Sequence, residues 1–141
     1  MLEFWDSFKK KKYSYLVCYT AFFLLMAAVV FFRFVVYKKS IIWHRDGLMQ
    51  HYNAMLYYGK YLRQIAHTLI TEHRFGLPMW DFNIGYGSDI ITSFHYYAIG
   101  DPLALLSALV PERYCQYFFS FLYVFRLYLA GLSFSAFSFS L

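Results

Sequence analysis

The sequence predicts an all-α membrane protein: two transmembrane helices flanking an extracytoplasmic loop that contains an amphipathic interfacial helix. Three observations carry this. From Tyr13 to Phe32 there is no charged residue, with Lys9 to Lys12 just before the run and Arg33, Lys38 and Lys39 after it. At about 1.5 Å of helical rise per residue the run covers roughly 30 Å, the hydrocarbon thickness of a bilayer. A second apolar run begins at Tyr114 and continues to Leu141, with Arg126 its only charge. Composition agrees: 60% of the residues are hydrophobic, 25% aromatic and only 15% charged, and the mean hydropathy is +0.40. Fifteen Tyr and seventeen Phe exceed what a small soluble core hides, whereas lipid and its interfaces accept them.

Residues 1–12 form a basic tail and residues 13–37 the first transmembrane helix. The apolar run is longer than the roughly 7–15 residues of a signal-peptide core, and no small-x-small cleavage site follows it, so it reads as an uncleaved anchor. Lysines precede the span and basic residues also follow it, a slight positive-inside bias that places the amino terminus in the cytoplasm. The net charge of +5 sits mainly at the ends of the apolar run, where it meets anionic headgroups. Nucleic acid is therefore not an expected partner. Cys18 and Cys115 decide little, since cysteines in opposite leaflets cannot bridge.

The extracytoplasmic loop, residues 38–113, has its own pattern. Leu48, Tyr52, Met55, Gly59, Leu62, Ala66 and Leu69 recur in steps of four and three, the stripe of an amphipathic helix over about residues 47–73. Tyr57, Tyr58 and Tyr61 with a basic polar face suit the headgroup plane. Gly76-Leu77-Pro78 terminates the helix and Trp80 follows as an interfacial anchor. The segment from Asp81 to Asp89 holds Gly85 and Gly87 between two carboxylates and reads either as a binding loop or as a turn cluster. Leu103–Val110 is too short to span and reads as an interfacial or re-entrant segment. The second transmembrane helix covers residues 114–141. Its uncapped end, with an arginine in the run, predicts a piece of a larger polytopic protein.

Several side chains are candidates for chemistry. Asp46 precedes the amphipathic helix, where its carboxylate can cap backbone N–H groups or serve as a base or metal ligand at the membrane boundary. Asp101, before Pro102, can equally cap the short segment that follows. The five histidines (His44, His51, His67, His73, His95) show no i, i+4 pair and no cysteine partner, which argues against zinc. Arg126 costs at least about 2.5–3.5 kcal/mol at bilayer depth, so it faces a protein interior, an ion-pair partner or an anion such as a lipid phosphate, or it snorkels to an interface. No Ser-His-Asp order, phosphate loop or dinucleotide fingerprint appears.

Taken in order, these motifs resemble a known family. After an initial span come Arg45-Asp46-Gly47-x-x-Gln50-x-Tyr52, an amphipathic helix, and Gly76-Leu-Pro78-Met-Trp80-Asp-Phe. Gly85-x-Gly87-x-Asp89, Gly100-Asp101-Pro102-Leu-x-Leu-Leu and Phe125-Arg126-Leu-x-Leu-Ala130-Gly131 follow. The series resembles the start of the YfhO-type bacterial membrane proteins, in the GT-C class of membrane glycosyltransferases. Family members are many hundreds of residues long, so the chain matches only their amino-terminal portion. The resemblance implies transfer of a sugar from a polyprenyl-phosphate carrier to an extracytoplasmic envelope acceptor such as a teichoic-acid-type polymer. It implies a bacterial cell membrane location, and Asp46 as the essential acidic residue, with a divalent cation possible there. Arg126, Asp89, Asp101, His95 and Tyr52 are the expected substrate contacts. Two other functions fit the residues less fully: a transporter or flippase for a lipid-linked glycan, and a non-enzymatic membrane scaffold.

Overall fold

The computed structural model describes residues 2–138, with side chains from Tyr13 onward. The side chains of the predicted tail and the last three residues of the second span lie outside the described residues. The chain is mostly helical, and its contacts divide it into two units, Met1–Lys39 with Val124–Leu141 and Ser40–Tyr123.

In the first unit, helix α1 covers Leu2–Val36, so its backbone continues through the lysine cluster that the sequence reading assigned to the tail. Helix α4 runs from Cys115 to Ser138, and its part from Val124 onward belongs to this unit. Among the described residues, two helical stretches are long and apolar enough to cross a membrane: Tyr13–Val36, with mean hydropathy 2.3, and Glu112–Ser138, with 1.4. From Tyr13 onward most apolar side chains of α1 are exposed, including Val17, Phe22, Val29 and Phe32. Polar contacts join the two helices. Tyr15 Oη and Ser135 Oγ lie 2.7 Å apart, Tyr19 donates to the Tyr128 carbonyl at 2.9 Å, and Thr20 Oγ1 is 3.0 Å from Tyr128 Oη. Residue numbers rise along α1 as their partners fall along α4, so the pair is antiparallel.

The second unit contains the structured loop. A π-helical turn, Gly47–Tyr52, leads into α2, Asn53–Glu72, close to the predicted 47–73. The helix ends when His73 turns left-handed, at φ 52°, three residues before the Gly76 terminator the sequence suggests. A two-residue hairpin follows, which the all-α expectation did not include. Strand β1, Trp80–Asp81, pairs antiparallel with β2, Ser88–Asp89. Gly85 and Gly87 make this possible at φ 62° and 113°, conformations that L side chains resist. Helix α3, Ile90–Phe94, passes into a second π-helical turn, His95–Ile99. Short 3₁₀ segments, Ala104–Leu109 and Glu112–Tyr114, lead into α4.

The stripe on α2 is only partly available to lipid. Met55 and Gly59 are buried, whereas Leu48 and Leu69 at its ends are each 47% exposed. Gly59 is covered by the 3₁₀ segment 104–109, the same apolar run expected to lie at the interface, and Met55 packs with Cys115, Phe119 and Leu122 of α4. A Cβ at Gly59 would stand 2.9 Å from the Ser107 carbonyl oxygen, so glycine is what allows this approach. Two apolar clusters result. One holds Tyr58, Tyr61, Ile90, Ala98 and Ala104, and the other Met55, Cys115, Phe119 and Leu122. Sequence periodicity defines an apolar face but not what covers it. Here the chain supplies its own cover.

Candidate functional site

The site is built on the two π-helical turns and the start of α2. Trp43 folds over Gly47, where a Cβ would overlap the indole ring, and its ring lies 5.4 Å from that of His51. His51 in turn meets Tyr97 edge-on at 5.3 Å. Arg45 is left-handed at φ 65°, a conformation uncommon for a non-glycine residue, and it sets the chain direction immediately before Asp46. Gln50, on the first π-helical turn, makes two side-chain contacts. Its amide nitrogen donates to Asp46 Oδ1 at 3.3 Å, and its amide oxygen accepts from Tyr97 Oη at 2.9 Å. A polar link thus runs from Asp46 through Gln50 to a residue on the second π-helical turn.

Beside this link lies a groove of about 420 Å³, within the range of about 300–1,000 Å³ typical of small-molecule sites. Met49, Gln50, Asn53, Ala54, Tyr57, Asn83, Ile84, Phe94 and Tyr97 line it. Tyr57 and Phe94 stack at 4.6 Å with their planes 9° apart. Tyr57 donates to Asp81 Oδ2 at 2.5 Å, while Asp81 Oδ1 accepts from the Asn83 backbone and side-chain amides, both at 2.8 Å. Burial first, then this hydrogen bond, pushes the Tyr57 phenol pKa upward, so it stays a donor. The same bond, helped by Asn83, holds the Asp81 carboxyl below the usual carboxylate range.

The carboxylates singled out in the sequence differ in what occupies them. Asp89 caps α3, accepting from the Thr92 backbone N–H at 2.7 Å, and that bond holds its pKa down. Asp101 Oδ1 accepts from the Leu103 backbone N–H at 2.9 Å, a turn contact two residues on, while the N-cap position of the 3₁₀ segment is Leu103 and carries no side-chain cap. Asp46 does not cap. Its backbone is already helical, its side chain makes no capping bond, and it is exposed. The single side-chain bond described for it is the long one to Gln50. Of the expected substrate contacts, His95 is exposed and its Nδ1 lies 2.8 Å from the Thr92 carbonyl. Tyr52 packs edge-on against Phe119 at 5.9 Å in the second apolar cluster. Arg126 is half-buried on α4 in the first unit. Among the described residues no three His, Cys, Asp or Glu side chains gather as a metal site.

Sequence reasoning had passed over Gln50, Asn53, Tyr57, Asn83 and Tyr97 as groove residues. Only the run of aromatics and amides hinted at them, and nothing local says that residue 97 returns to residue 50. Comparison with protein-family models, curated proteins and solved structures finds no match to this chain.

Proposed function

We propose that this chain is the amino-terminal, membrane-embedded part of a GT-C-like transferase that moves a sugar from a polyprenyl-phosphate carrier to an envelope glycan outside the cell. The observation that carries the reading is Asp46. It is an exposed carboxylate with one long hydrogen bond, next to a groove lined by amides and aromatic rings, close in sequence to the end of an apolar helix. A general base needs an uncommitted lone pair within reach of the acceptor hydroxyl. Asp81, with three donors on its oxygens, is a poorer base, and Asp89 is committed to its helix. In this reading Asp46 takes the proton of the attacking hydroxyl, and the carrier phosphate leaves at the membrane surface. Where the reaction uses a divalent cation, Asp46 is the residue to hold it.

The test is direct. Membranes containing the reading frame that carries this chain are incubated with a polyprenyl-phosphate-linked radiolabelled sugar and envelope polymer. Label should move from the lipid to the polymer fraction, and label that stays on the lipid with every donor tried would sink the reading.

The reaction needs the loop outside the cell, so the amino terminus is expected in the cytoplasm. In a background with Cys18 and Cys115 replaced by alanine, single cysteines at Ser7 and Thr71 report on this. A membrane-impermeant thiol reagent on intact cells should label position 71 and spare position 7; the reverse pattern contradicts the topology.

A further inference from the structure

We infer that the groove between the two π-helical turns is a binding site selective for uncharged, hydroxyl-rich rings, and that Asp81 acts behind it as a charge filter. This deepens the transferase reading and rests on it for the ligand's role, but binding itself requires no turnover. The lining residues carry no formal charge, so a phosphate or carboxylate entering the groove would lose hydration without meeting a cation there. Gln50, Asn53 and Asn83 are planar amides whose nitrogens each spend one N–H inside the protein, on Asp46, the Met49 carbonyl and Asp81, leaving a second N–H and an oxygen lone pair suited to the paired hydroxyls of a pyranose. The stacked Tyr57 and Phe94 supply a flat apolar wall for the C–H face of such a ring.

Asp81 adds discrimination. Its carboxylate is bound to the Tyr57 hydroxyl at 2.5 Å, which places a negative charge one hydrogen bond behind the groove wall. A neutral sugar is indifferent to that charge, whereas a uronic acid or sugar phosphate is repelled. The groove would thus receive the glycan and not the phosphate end of a lipid-linked donor.

The test uses the whole chain in nanodiscs of uncharged phospholipid, without donor lipid. Saturation-transfer NMR is read with methyl glucopyranoside and N-acetylglucosamine as neutral probes, and with glucuronate and glucose 1-phosphate as anionic ones. The neutral probes should bind, with the anions at least about fivefold weaker. Asn53→Leu should weaken neutral binding about tenfold, with helicity checked by circular dichroism. Asp81→Asn retains an acceptor for Asn83 and should bring glucuronate close to the neutral probes. Tyr57→Phe, which keeps the ring stack, is the second variant and should weaken neutral binding by removing the phenol. Anions binding as well as neutral sugars, no binding by any probe, or neutral binding indifferent to both Asn53→Leu and Tyr57→Phe would each overturn the proposal. Sugar transfer can persist in any of these outcomes, so failure here is distinguishable from failure of the transferase reading.

Discussion

Asp46→Asn should reduce sugar transfer by roughly 10²–10⁴-fold, the loss typical of removing a general base, while expression and membrane insertion stay at wild-type levels. The structure makes this substitution unusually clean. Asp46 makes no capping bond, so the substitution breaks none, and what the helix loses is at most the roughly 0.3–1 kcal/mol of a charge beside its N-terminus. The contact it does make is as acceptor from Gln50, and the asparagine carbonyl can still accept there. What disappears is the negative charge and the basicity. Asp46→Glu keeps both but moves them by one methylene, and should recover part of the rate if proton transfer is the role. The measurement is initial transfer rate per amount of inserted protein. Near-wild-type transfer by Asp46→Asn would remove Asp46 from the reaction.

Arg63→Met should destabilise the loop unit by about 2–3 kcal/mol, the scale of a charged hydrogen-bonding group withdrawn from several partners. Arg63 Nη1 lies 3.1 Å from the Ser107 carbonyl oxygen, 3.4 Å from that of Ala108 and 3.1 Å from that of Val110. These carbonyls lie at the end of the 3₁₀ segment, where that of Ser107 also accepts from the Val110 N–H at 3.2 Å, and a guanidinium there meets the negative end of the helix dipole. Removing it exposes them at the cover of α2, so the segment 104–109 should loosen from Gly59. Arg63→Lys should recover part of the loss, because all three contacts come from the single nitrogen Nη1 and an ammonium also carries three donors, on a shorter side chain. Glu112→Gln is the informative contrast. Glu112 sits 3.2 Å from Lys60 and 3.9 Å from Arg63 with its side chain 52% exposed, and exposed pairs of this kind contribute about 0–1 kcal/mol. Thermal unfolding of the three variants in one detergent ranks them. Equal midpoints for Arg63→Met and Glu112→Gln would mean that the carbonyl contacts contribute nothing beyond the surface pair.

The parts of this protein that were legible in its sequence are those governed by local pattern. The uncharged run from Tyr13 declares itself by length, and the steps of four and three from Leu48 predict a helix at nearly its observed bounds. What stayed hidden depends on where the chain returns. Leu103–Val110 has no periodicity to show that it covers Gly59 and not lipid. Arg63 looked like one more cation on the polar face of α2, because its acceptors are carbonyls more than forty residues away. The site was half legible: Asp46 is marked by its position after the first span, and the glycines at 85 and 87 mark a turn. The groove was not legible, since Tyr57, Asn83, Phe94 and Tyr97 come from separate elements. Tyr15, Tyr19 and Thr20 likewise belong to an apolar run in the sequence, although their hydroxyls, with the rings of Tyr19 and Phe23 against Tyr128, join α1 to α4.

The two π-helical turns make the groove sensitive to chain length. A π-helical turn holds one residue more than an α-helical turn spanning the same rise, so each of these segments is an α-helix carrying a single inserted residue. Losing one codon between Gly47 and Tyr52, or between His95 and Ile99, would let the helix close up. Side chains on the two sides of the deletion would then turn by about 100° relative to each other, separating Gln50 from Tyr97. A change in chain length of one residue is therefore enough to dismantle the groove, even where the residue lost is not one that lines it.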